Sequence, residues 1–361
     1  FIIGSTTQTS TLTLTNALSM RDPATFRTAN GGSISGGTLT GTGNASFVFS
    51  GPTTIGAITT NNGAVRFNNT ASLGGDITVT GGNSASFVRF DGVTTTTAAV
   101  VIDSGDGTIT MNSTFGAGAN ALTLSAGEVD IAAALTGSST LAIKTTNVAT
   151  PIVVAGTVGA SQLDLTSAEA ALISGFSGIT VGSNAQTANT TINAVTFSDP
   201  TTFDTGSGTI TVSGLLTGTG DASFTFSGTT SLGAGITTAD QNITFNNPTT
   251  ATTTLALTAG AGAVDFNSTL GITNNAITIS ADEIDFDGGD DSVTGGGSAT
   301  LVLQPGQITT PVVVGGSANN ATELNLTSGT GEDLAAIADG FGSFIIGSTT
   351  QTSTLTLTNA L

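Results

Sequence analysis

Six carboxylates crowd into SADEIDFDGGDDS: Asp282, Glu283, Asp285, Asp287, Asp290 and Asp291. Oxygen-rich clusters suit Ca2+, which makes Asp285, Asp287, Asp290 and Asp291 candidate ligands. The spacing departs from an EF-hand loop, which ends in a glutamate at its twelfth position. Counted from Asp285, that position is Gly296. The stretch is also not the glycine-rich nonapeptide of calcium-binding β-rolls. The plainer expectation is an acidic patch in water, and no other cofactor is expected. DSGDG at 103–107 reads as a turn.

Catalysis has little to work with. The chain has no His for proton transfer near neutral pH and no Cys nucleophile. An enzyme built on a β-helix to act on acidic polysaccharides needs carboxylates beside Lys, Arg or His to stabilise developing charge. The five bases, Arg21, Arg27, Arg66, Arg89 and Lys144, stand among seven acids in residues 1–144. Residues 145–361 hold 17 acids and no base. Paired carboxylates could hydrolyse glycosides by themselves, but these acids fall mostly on repeated strand positions that face outward. The chain is therefore read as no enzyme, without catalytic residues. A net charge of −19 argues against nucleic acid, because phosphate contacts need Lys and Arg. No apolar run reaches about 18 residues, so no membrane span is expected in this segment. Without Cys there are no disulfides, which suits a chain exported unfolded. The sequence starts at Phe1, without Met, and reads as an internal piece of something longer.

The elements that carry these residues announce themselves by repetition. FIIGSTTQTSTLTLTNAL occupies 1–18 and recurs without change at 344–361, an offset of 343 residues. Residues 1–343 thus form one tandem unit, and 344–361 begin the next. Inside the unit, LTGTGNASFVFSG at 39–51 matches LTGTGDASFTFSG at 216–228, an offset of 177. TPIVVAGTVGASQLDLTS from Thr150 matches TPVVVGGSANNATELNLTS from Thr310. The unit therefore divides into two diverged half-units, about 1–177 and 178–343.

A finer period gives the fold. Apolar-x-apolar segments reach Phe67, Phe90, Met111 and Ile131 at steps of 23, 21 and 20 residues. In the second half-unit they reach Phe226, Phe245, Phe266 and Phe286 at steps of 19, 21 and 20. Strand side chains alternate, so these positions face inward while Asp265 and Asp285 face outward. A step near 20 is one coil of a parallel β-solenoid: an all-β, elongated rod, expected right-handed, of roughly 17 coils per unit. The residue after the inward one is often Asn or Asp (Asn68, Asp91, Asn112, Asn246, Asn267, Asp287). Such residues suit left-handed turns, and stacked in register they form a corner ladder. Arg66 and Arg89 project from one outer face. A rival fold, a string of immunoglobulin-like sandwiches, lacks its usual core Trp or corner Tyr here. Two segments break the strand pattern as short capped helices. One starts after Thr166 and closes at Gly175; the other starts at Thr330 and closes at Gly340.

LDLTSAEAALISGFSGITVGS at 163–183 and LNLTSGTGEDLAAIADGFGSFIIGS at 324–348 resemble segments of giant β-strand-repeat proteins of bacterial surfaces, related in style to filamentous haemagglutinins. The resemblance implies a secreted, elongated, adhesive protein at the cell surface and transfers no catalytic or binding residue. Two functions are expected. One is a structural repeat of an extracellular fibre or sheath that associates with itself end to end and laterally. The other is the stalk of an adhesin that meets cells, surface components or glycans. For lateral association, basic residues of one fibre would lie against the acidic stretch of a neighbour.

Overall fold

An apolar-x-apolar segment of three or four residues cannot hold a strand alone; it needs the equivalent segment of the next coil beside it. The computed structural model describes residues 1–29, 31–157, 159, 161–316 and 323–358. Parts of the repeated sequence, 158, 160, 317–322 and 359–361, lie outside them. The chain is a parallel β-solenoid of about 14 turns with about 21 residues per turn and almost no helix. The turns are fewer than the spacing predicts because two of them carry long excursions. Leu141 pairs with Ile179, 38 residues on, and Leu301 pairs with Phe344, 43 residues on.

Chain contacts divide the molecule into Phe1–Gly182 and Ser183–Leu361. In the first unit each turn contributes three short strands to three faces. The first face stacks Ile2–Gly4, Ala24–Arg27, Phe47–Ser50, Val65–Phe67, Phe87–Phe90, Thr108–Met111 and Glu128–Ile131 in chain order. The second runs from Leu12–Leu14 to Ile173–Ser174, and the third from Leu18–Met20 to Gly178–Ser183. In the second unit some faces merge into long strands, such as Thr201–Val212 and Leu255–Phe266, which shift register at the corner between faces.

The core is a set of columns. In the first unit Phe26, Phe49, Phe67, Phe90, Met111 and Ile131 are in register and buried. In the second, Phe203, Phe226, Phe245, Phe266 and Phe286 do the same. Ring centroids of Phe226, Phe245 and Phe266 are 4.8 Å apart at each step, with planes 12° and 11° from parallel. That spacing matches the distance between paired strands, so the rings stack without pulling the coils together or apart.

The second face departs from simple patterning. Its inward positions include Thr53, Thr94, Thr96, Thr230 and Thr249, all buried. Each hydroxyl donates to a nearby backbone carbonyl, for example Thr53 to Gly51 at 2.8 Å and Thr230 to Gly228 at 2.9 Å. The burial cost of the hydroxyl is thereby met.

Truncating Phe245 to Ala should remove two ring contacts in a column that cannot collapse, costing about 3–5 kcal/mol. Asn246→Ala, one residue on but exposed, should cost about 1 kcal/mol. Urea unfolding of both variants measures the difference.

Candidate functional site

Both excursions begin after a third-face strand and return over the end of the first face. In the first unit, Ile152–Val154 pairs with Leu163–Leu165, after which comes helix α1, Ser167–Ala170. In the second, Val312–Gly316 pairs with Leu324–Thr327, after which comes helix α2, Asp333–Ala336. Gly175 and Gly340, at φ +82° and +118°, turn each chain back toward the coil.

The first helix starts as the sequence indicates. Thr166 is its N-cap and forms a capping box with Glu169. The second differs: its N-cap is Glu332 rather than Thr330, and no side chain caps it. The three extra residues 329–331 carry the chain outward, and Asp333 reaches back to do what Glu169 does. The oxygens of Glu169 accept from the Thr166 N–H at 2.8 Å, the Thr166 hydroxyl at 2.7 Å and the Ile131 N–H at 3.0 Å. Those of Asp333 accept from the Thr327 N–H at 2.9 Å, the Thr327 hydroxyl at 2.7 Å and the Phe286 N–H at 3.0 Å. Ile131 and Phe286 are the last rungs of the two first-face columns. In each unit, then, a carboxylate takes the N–H that a further strand would have taken. Sequence reasoning places Glu169 and Asp333 in the two helix starts but does not show that they close a strand edge. The shared Thr of LDLTS and LNLTS, with an acid beyond it, is the one signal available, and it reads only as a helix start.

More carboxyls gather behind each cap. Glu128 accepts from the Asp164 N–H at 3.3 Å. Burial pushes its carboxyl up to about 8, assisted by the charges of Asp164, Asp130 and Glu169. The equivalent Glu283 is also pushed up to about 8 by burial, with Asp285, Asp333 and Asp265 adding to it. Burial raises Asp333 too, against the donors just named. Buried Asp164 accepts from the Gly159 N–H at 2.7 Å and the Gln162 amide at 2.8 Å.

The candidate calcium ligands are not brought together. Asp285 lies on a strand beside Asp265, its register partner. Asp290 accepts from the Gly331 N–H at 2.6 Å, and Asp291 sits at φ +55° in a turn. Among the described residues no three acidic side chains are placed to hold a metal ion.

The corner positions form short ladders instead of one continuous one. Asn267 donates to Asn246 at 2.8 Å, Asn246 to Ser227 at 3.2 Å, Asn68 to Ser50 at 2.9 Å and Asn112 to Asp91 at 2.7 Å. The backbone N–H of each corner residue, Asp287 included, continues the strand ladder. Arg66 and Arg89 are register partners, and their like charges converge on Asp91 at 2.8 and 2.7 Å. Desolvation pushes the Asp91 carboxyl up, but the hydrogen bonds from Arg89, Asn112 and Arg66 outweigh it and hold it at about 2.

A scan against protein-family models gave no match, and neither did searches of curated proteins and of solved structures. No helix among the described residues is long and apolar enough to cross a membrane.

The carboxyls behind the caps set a pH dependence. Glu128 and Glu283 leave an ordinary value of 4.5 for about 8 on folding. Their contribution is therefore full below pH 4.5, shrinks as pH rises and is gone above about pH 8. The melting temperature should fall steadily across that window. A Glu128→Gln/Glu283→Gln variant should show a shallower fall there, the remainder coming from other buried carboxyls such as Asp333, and melt above the parent at the alkaline end. Scanning calorimetry from acid to alkaline buffer checks both.

Proposed function

We propose that the chain is a structural repeat of a self-associating extracellular bacterial fibre or sheath, with no catalysis. The observation that carries this reading is the use of the side chains. The inward ones form columns that pass from coil to coil, and the corner ones bond to the coils above and below. A repeat of this kind supplies length, since each coil needs only its neighbours. The unchanged 18-residue sequence at 344–361 supports the same reading, because it offers the next unit the register of the first. So does the resemblance of 163–183 and 324–348 to bacterial surface repeat proteins.

Charge supports association along the sides as well. Phe1–Gly182 carries nine acids and five bases, whereas Ser183–Leu361 carries fifteen acids and no base. Neighbouring fibres offset by half a tandem repeat would set the weakly charged stretch against the strongly acidic one and reduce their repulsion. Asp91 already neutralises part of Arg66 and Arg89, so these two contribute less than their number implies.

A second reading, an adhesin stalk, has one observation of its own. Ser35, Thr54, Ser72 and Thr95 stand in register on the outside of the second face. Such a row of hydroxyls suits weak contact with glycans or other surface components.

Immunogold labelling of producing bacteria with antibody to this chain should decorate surface fibres at a regular axial interval. Aligned specimens should diffract at about 4.8 Å along the fibre axis, the coil spacing. Label confined to the cell interior would sink both readings. Label only on single projections with a distinct tip would favour the stalk.

A further inference from the structure

One face of the coil is without charge. The chain carries 24 acids and five bases. Among the described residues, none of them lies in a second-face strand of either unit. In the first unit the outward row of Ser35, Thr54, Ser72 and Thr95 runs on through Gly116 to Thr136. In the second unit this face follows 201–204 and precedes Leu216–Gly218 along the turn. Its outward row is Thr211, Ser231, Thr250, Gly271 and Thr294. The first face is different. Arg66, Arg89 and Asp130 project from it in one unit, and Asp204, Asp265 and Asp285 in the other.

The second face is suited to being covered. Ser, Thr and Gly lose less side-chain freedom on burial than the long charged residues do. A hollow of about 280 Å³ opens in the first unit, lined by Thr54, Ser72, Thr95 and Val93, the last 48% exposed.

Resting on the self-association reading above, we propose that the second face docks against the second face of another copy of this chain. Charge selects that occupant. A chain of net charge −19 repels its like wherever carboxylates meet, and this face lets two copies close without bringing charges together. Period selects it as well. The outward side chains recur once per coil, at the strand spacing of about 4.8 Å. A second copy has the same period, so its row seats into this one coil after coil, as in the dry contact between paired sheets. Hydroxyls both donate and accept, so the row can bond to a copy of itself. Area sets the strength. In the first unit the eight short strands of this face cover roughly 10 by 38 Å, or about 380 Å². That is just under half of the ~800 Å² per partner of a stable complex. Pairing through one unit is therefore weak, and it strengthens as units in tandem engage together.

Two variants with the same added charge test the face. Thr54→Glu/Thr250→Glu alters the second face, and Thr123→Glu/Thr278→Glu alters outward positions of the third. All four residues point away from the core, so both variants should keep the parent's melting temperature. In sedimentation velocity the parent chain should associate as its concentration rises. The second-face variant should need at least tenfold more protein to do so, and the third-face variant should follow the parent. If the second-face variant associates like the parent, or both variants weaken equally, docking through this face is wrong while self-association stands. A parent chain that stays monomeric at its highest soluble concentration overturns both. Co-sedimentation of that monomer with cellulose, lost in Thr54→Glu/Thr250→Glu, would give the face a glycan instead.

Discussion

Every strand in a parallel sheet presents N–H and C=O groups on two sides, and both sides need partners when buried. In this protein that requirement governs most of what the sequence does. Strands of three or four residues are held because coils above and below pair with them in register. Where the stacking of the first face stops, the requirement does not. The Ile131 and Phe286 amides are satisfied by Glu169 and Asp333, each brought there by an excursion with a short helix.

The caps bring a cost that the structure tolerates. Holding a strand N–H with a carboxylate puts a negative charge where burial disfavours it. Around Glu128 stand Asp164, Asp130 and Glu169, and around Glu283 stand Asp285, Asp333 and Asp265. Neutralising Glu128 and Glu283 relieves the crowding. The phenylalanine columns supply the opposite balance: apolar area is buried at every turn, and ring spacing agrees with strand spacing.

Much of this was legible in the sequence. The step from Phe245 to Phe266 to Phe286 sets the coil length, and the alternation around them sets the inward face. The first capping box was readable in TSAE. Other features were hidden for physical reasons. Thr53 and Thr94 face inward although threonine suits either side of a sheet; only the carbonyl that accepts each hydroxyl decides it. Asp333 is equivalent to Glu169 in space but sits three residues further along, because 329–331 intervene. The number of turns was overestimated because a uniform step cannot reveal where the chain leaves the coil. The acidic run around Asp285 looked like one cluster in sequence, but while Glu283 and Asp285 stay close, Asp290 bonds to the Gly331 N–H and Asp291 sits in a turn.

Hydrogen exchange at two amides tests the central claim most directly. Among the described residues no strand pairs with the outer edge of Ile131 or Phe286 on the first face, so the carboxylates protect their N–H groups. Exchange should be slow at both, comparable to ladder amides such as Asn246 and Asn267. It should become fast at Ile131 in Glu169→Ala and at Phe286 in Asp333→Ala, with the ladder amides unmoved. Exchange at the unprotected rate in the parent protein would contradict the claim that the two carboxylates close the strand edges.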